Sequence, residues 1–261
     1  MSDSVLLSVD NQGIATITLN RPDLHNALDG DMASLLLATL ETVAADPEIR
    51  VLVLTGNGLN FSTGYDADWL RKNAALPADE QARHLAVLTR LLHTLDTLPL
   101  PTIARVQGSA FGMGAGLAAC CDVAVGVAES LYSFPDVKLG AIPGVIAPYI
   151  IRAIGPRAAR RYFITAERFN AGKAKRLGLL HIVVESDALD SAIGALLAQL
   201  MQNGPQAMGA AKRLVAALLP LGDSEAACEL AIRDTAAQRC SEEGHEGVHA
   251  FLDKRKPHWV H

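Results

Sequence analysis

No stretch of this chain approaches the roughly eighteen consecutive apolar residues that a membrane helix requires, so no membrane span is predicted. Basic residues are not in excess: 23 Lys and Arg against 28 Asp and Glu leave a net charge of −5, which excludes the electrostatic footprint of a nucleic-acid binder. Cysteine is scarce. Four occur, as the adjacent pair Cys120 and Cys121 plus Cys228 and Cys240, and none has CxxC spacing. That pattern argues against a disulfide framework and for buried, reduced thiols in a cytoplasmic protein. The opening MSDSVLLSVDNQG has neither a basic segment nor a long apolar one, so no secretory leader is expected. The sequon match at Asn60-Phe61-Ser62 then carries no meaning.

Several nucleotide and nucleophile motifs are also missing. There is no GK[ST] of a P-loop; a dinucleotide fingerprint starting at Gly112 meets Leu117 where it needs glycine. A nucleophile elbow around Ser62 meets Asn60 in the same way. One decoy is present in full: His245-Glu246-Gly247-Val248-His249 reads as HExxH, a zinc-binding pattern on a helix. Its extended form fails at Leu252 and Arg255, so a solvated helix face is the better reading, and no metal is expected.

What is there is an ordinary globular composition, half of it hydrophobic, with strands in front and helices behind. Residues 5–9 (VLLSV) and 13–19 (GIATITL) alternate around Asp10-Asn11-Gln12-Gly13 and predict a hairpin. Asp29 is placed to cap a helix that Asp46-Pro47 ends. Strands are predicted at 49–54, 102–106 and 122–127, and a helix at 79–96. From about residue 187 the pattern is helical, at 188–202, 205–218, 223–239 and 242–253. Repeated strand and helix imply an α/β class.

The chemistry concentrates in Gln107-Gly108-Ser109-Ala110-Phe111-Gly112-Met113-Gly114-Ala115-Gly116, between a strand and a small-residue helix. Glycine permits close approach, and a helix start leaves free N–H groups with the positive dipole end behind them. Such a segment suits an oxyanion, although tight helix packing explains Gly-rich turns about as often.

Five segments together carry a family resemblance. They are LNRPDLHNALDGDM (19–32), VLVLTGNGLNFSTGYDADWL (51–70), Gln107-Gly108 through Asp122, LYSFPDVKLGAIPG (131–144) and FLDKRKP (251–257). In this order they resemble the crotonase, or enoyl-CoA hydratase/isomerase, superfamily. The resemblance implies a spiral of ββα units over 1–199 holding the site, and a helical region over 200–261 that builds a trimer or a hexamer. It implies an acyl-CoA thioester as substrate, with no resident cofactor. The backbone N–H groups of Tyr65 and Met113 would hold the thioester oxygen as it becomes an enolate. Asn26, Ala27 and Leu28, with Ser62, Thr63, Gly64 and Gly112, would line the CoA groove, and Arg21, Lys254 or Arg255 would reach its phosphates. The bulky Tyr65 and Met113 side chains either trim the acyl pocket or pack in the core.

The chain departs from the family at its acid/base residues. Hydratases of this type commonly carry two glutamates, whereas here the corresponding positions are Gly116 and Asp136. A single carboxylate suits hydration with a stand-in group, and equally suits Δ3–Δ2 isomerisation; a degenerate acyl-CoA-binding protein is a further alternative. Residues 137–180 resemble bacterial hydratases of branched glutaconyl-CoA thioesters in leucine or acyclic-terpene breakdown. On that reading Gly116 opens space for a substrate branch, and Arg152, Arg157, Arg160 or Arg161 supplies a counter-charge.

Overall fold

The computed structural model describes residues 3–260. The hairpin forms as β1 (Val5–Val9) and β2 (Ile14–Leu19), antiparallel and in register from Val5 opposite Leu19. α1 (Gly30–Ala45) starts where Asp29 accepts the Met32 N–H at 2.8 Å. β3 (Val51–Gly56) is buried along its whole length. It begins and ends two residues later than the periodicity predicts, because Thr55 and Gly56 continue the parallel pairing with Thr18 and Leu19.

α2 (Ala67–Ala74) and α3 (Ala78–Asp96) follow, then β4 (Thr102–Val106), β5 (Ala110–Phe111) and α4 (Met113–Cys120). Next come β6 (Val123–Val127), β7 (Leu131–Ser133) and α5 (Ala147–Thr165). The chain continues through β8 (Phe169–Asn170), α6 (Ala171–Leu177) and β9 (Ile182–Val184). It closes with α7 (Leu189–Leu200), α8 (Pro205–Leu218), α9 (Glu225–Arg239) and α10 (Glu242–Leu252). The four predicted C-terminal helices are these last four.

The large sheet has the order β1-β2-β3-β4-β6-β9, and a small one the order β5-β7-β8. Beyond the first hairpin the large sheet is parallel. Each winding thus places one strand in the large sheet, the next in the small sheet, and then a helix: β4-β5-α4, then β6-β7-α5. This is the spiral of ββα units that the resemblance implies. One face of the large sheet packs Ile17, Leu52 and Leu54 against α1, α3 and α4; the other packs Val51, Val53 and Val125 against Leu189 and Ile193 of α7. No helix is long and apolar enough to cross a membrane among the described residues.

Two expectations need correction. Cys120 and Cys121 are buried free thiols, but Cys228 and Cys240 are exposed, since α9 is largely uncovered in the single chain. The HExxH segment lies on α10 with both histidines exposed, yet Glu246 is not solvated: both of its oxygens accept from Arg255 at 2.7 Å. No cluster of three or more His, Cys, Asp or Glu arranged for a metal occurs among the described residues.

Candidate active site

Two loops leave the C-terminal edge of the large sheet, residues 57–66 after β3 and 107–112 after β4. Backbone bonds lay them side by side. Phe61 N–H donates to Ser109 O at 3.1 Å, and Phe111 N–H donates to Ser62 O at 3.0 Å. A third segment joins them through β5 and β7, where Gly112 N–H donates to Ser133 O at 2.9 Å.

Glycine allows the approach to be this close. At Gly64 (φ +100°) a Cβ would stand 3.1 Å from the Phe111 oxygen and 3.7 Å from the Met113 nitrogen. At Gly112 (φ +48°) it would lie 3.7 Å from Pro135 Cδ and 4.0 Å from Gly64 Cα. The peptides that follow these glycines carry the Tyr65 and Met113 N–H groups. Neither N–H has an acceptor among the described residues. Met113 is also the first residue of α4, so the positive end of that helix dipole stands behind its N–H. Two unused main-chain donors therefore flank one gap. That arrangement suits a carbonyl oxygen gaining negative charge.

The position expected to serve as acid/base enters from the other side of Gly112. Pro135 is the nearest neighbour that a Cβ on that glycine would meet, and Asp136 follows it at the start of a 3-10 turn. The Asp136 carboxylate is half-buried, and its Oδ2 meets no hydrogen-bond donor. Burial pushes its pKa upward, against a weaker pull from its own backbone N–H. Its charge reaches the Tyr65 phenol, whose pKa is driven far above the ordinary range, first by burial and then by that charge.

The Gly116 position is different. A Cβ there would stand 2.4 Å from Ile146 Cγ2, so Ile146 fills the volume that a side chain would need. The space expected for a substrate branch is occupied by hydrocarbon. The counter-charges are also committed: Arg152 pairs with Asp96 and Arg161 with Glu167, both at the surface. Arg157 and Arg160 are exposed on α5.

A groove of about 950 Å³ runs past the first donor, lined by Ala27, Thr63, Tyr65, Trp69, His84 and Leu88 among others. Tyr65 stacks on Trp69 with ring centroids 5.3 Å apart. His84 Nδ1 lies 2.6 Å from Asn73 Oδ1, while Asn73 Nδ2 donates to Trp69 O at 2.9 Å. Tyr65, Thr63 and Ala27 therefore share the groove, whereas Met113 is fully buried in the core. Leu28 and Ser62 are buried as well, and the Ser62 hydroxyl donates to Asn26 O at 2.8 Å.

Asn26 does not face the groove. Its side chain is fully buried, donating to Asn57 O and Asn60 O, both at 2.9 Å, and accepting the Arg21 N–H at 2.9 Å. Arg21 lines the groove and is engaged there by Asp29 at 2.8 Å and Asp66 at 3.1 Å. Arg255 is held by Glu246. Lys254 follows α10, whose tail is tied through Trp259 O to Arg50 at the start of β3. That is the opposite edge of the sheet, so one chain does not bring Lys254 to its own groove. The polar chain Trp69–Asn73–His84 escaped the sequence reading. A buried asparagine on one helix facing a histidine on the next is its only trace.

The comparisons agree with this geometry. Residues 9–261 match the family model described as enoyl-CoA hydratase/isomerase. The 2,3-dehydroadipyl-CoA hydratase of Escherichia coli is 31% identical over 97% of this chain and 98% of its own length. The crotonyl-CoA hydratase of Syntrophomonas wolfei is 28% identical, covering 99% of this chain and 98% of that protein. The crystal structure of an enoyl-CoA hydratase from Shewanella pealeana superposes with a TM-score of 0.95 at 39% identity, covering 98% and 96% of the two chains. With its fold, its paired donors and this match over nearly its whole length, the chain belongs to the enoyl-CoA hydratase/isomerase family, the crotonase superfamily, as an enzyme.

Proposed function

We propose that the enzyme adds water across the double bond of an α,β-unsaturated acyl-CoA, with Tyr65 and Met113 N–H holding the thioester oxygen and Asp136 moving the proton. The observation that carries this reading is the pair of unpartnered N–H groups flanking the Gly64–Gly112 gap, with Asp136 beside it. Water gives a proton to Asp136 as its oxygen bonds Cβ. The π electrons move toward the thioester oxygen, and Asp136 returns the proton to Cα.

A second reading, Δ3–Δ2 isomerisation, is favoured by one observation. Ile146 occupies the site of a second carboxylate, and a single carboxylate is enough to take a proton from one carbon and return it to another. Turnover of crotonyl-CoA and a 3-enoyl-CoA separates the two. Reaction of the 3-enoyl compound alone rejects hydration, and binding without turnover of either supports the degenerate alternative.

The branched glutaconyl substrate now rests on the likeness of residues 137–180, since neither the cavity nor the arginines support it. A relative whose named substrate is a dicarboxylic thioester keeps a second carboxylate worth testing. 3-Methylglutaconyl-CoA therefore belongs in the same assay. We also read the exposed apolar side chains of α9 and α10 (Ile232, Val248, Phe251, Leu252) as buried in a trimer or a pair of trimers. In such an assembly Lys254 would serve the CoA of a neighbouring copy, which reconciles its expected role with its place in its own chain.

A further inference from the structure

The proposed hydration leaves a gap in the mechanism. Asp136 has to hold a water and take its proton, yet the neighbouring position that carries a second carboxylate in related hydratases is Gly116, backed by Ile146. Another polar group must orient that water, because a carboxylate alone leaves its attack direction free.

The polar side chains around the two donor loops are nearly all committed. Ser62 donates to Asn26 O, and Asp66 is occupied by Arg21 and by the N–H groups of Asp68 and Trp69. Thr63 is directed at His25 O, and His84 meets Asn73. Asp136 Oδ2 is buried without a donor, and the hydroxyl of groove-lining Tyr65 has no hydrogen-bond partner among the described residues.

Their placement is not accidental. Gly64, just before Tyr65, and Pro135, just before Asp136, both meet at Gly112. The Tyr65 ring lines the groove and is fixed by its stack on Trp69. Burial, and behind it the Asp136 charge, push the pKa of its phenol upward. It therefore acts as a fixed hydrogen-bonding group, not as a titrating base.

We propose that the Tyr65 hydroxyl anchors the attacking water against Asp136, standing in for the carboxylate that Gly116 lacks. The inference rests on the hydratase reading above. Tyr65 thus does two separate things: its N–H faces the thioester oxygen, and its phenol faces the water. As the water oxygen bonds Cβ, its proton passes to the Asp136 carboxylate, and the phenol keeps its own proton throughout.

Tyr65→Phe tests this, since it keeps both the backbone N–H and the stack on Trp69. Two reactions are to be followed with wild type, Tyr65→Phe and Asp136→Asn. One is hydration of crotonyl-CoA; the other is solvent exchange of the α protons of butyryl-CoA, which needs the donors and Asp136 but no added water. We expect Tyr65→Phe to lower kcat for hydration by about a hundredfold with KM little changed, and to leave exchange near wild type. Asp136→Asn should lose both. Full hydration by Tyr65→Phe overturns the inference and leaves the hydratase reading intact. An equal loss of hydration and exchange also overturns it, showing that the phenol only shapes the pocket. A wild type that exchanges α protons but hydrates no enoyl thioester overturns both readings together.

Discussion

The two sides of the site are built on opposite plans. On the donor side, loops 57–66 and 107–112 are closed by glycine, stitched by main-chain hydrogen bonds and left with two N–H groups to spare. On the acid/base side, one position is packed with hydrocarbon from Ile146, and the next holds a half-buried carboxylate with an idle oxygen. On the proposed function the donor side would stabilise charge by being rigid, and the other side would move protons through its one unsatisfied group. Side-chain identity should therefore matter little on the first side, the Tyr65 phenol excepted, and greatly on the second.

The largest expected effect tests that contrast directly. Asp136→Asn should cut turnover of enoyl-CoA by about a thousandfold while acyl-CoA binding, followed by calorimetry, stays near wild type. An equal loss of binding would mean that the residue shapes the site instead of reacting in it.

On the donor side the vulnerable groups are backbone ones. A Cβ on Gly114 would fall 2.2 Å from Ser62 O. Gly114→Val should force the loops apart, costing about 3 kcal/mol in urea unfolding and abolishing turnover. A stable, active variant would show that the loops need not touch.

Restoring a carboxylate at 116 sharpens the comparison further. Gly116→Glu should destabilise the fold by about 1–3 kcal/mol, because Ile146 already fills the space. Adding Ile146→Ala should recover part of that loss, so the two changes together cost less than their sum in a double-mutant cycle. Strict additivity would mean the side chains do not compete.

The smallest effect is a pH dependence of stability. Burial raises the folded-state pKa of Asp136, so the folded protein binds this proton more tightly than the unfolded chain does. The stability this contributes is full below the unfolded pKa and is lost as pH rises through the folded one. Asp136→Asn should therefore stabilise the fold slightly at neutral pH and not in acid, as read by thermal unfolding at both. Equal shifts at the two pH values would remove the case for a strained carboxylate.

Much of this architecture was legible in the letters, and the reasons are local. Asp29 and its following apolar period mark α1, and the C-terminal helices show by long amphipathic stretches. The small sheet is invisible because its strands are two or three residues long, too short for alternation to register. α5 is masked by Gly155-Pro156 at its middle, where Gly155 takes φ +76° and the helix kinks. At the site, Gly116 could be read as a missing side chain, but the Ile146 that replaces it lies thirty residues away. Only the fold brings them together. Arg21, likewise, reads as a free cation until Asp29 and Asp66 are seen to enclose it.

The buried amide of Asn26 has a mechanical consequence. It rivets three strips of chain, at residues 21, 57 and 60, and Ser62 is fastened back onto its carbonyl. Residues 25–28 and the loop that carries the Tyr65 amide hydrogen are thereby braced as one frame, so loosening either strip should loosen the other.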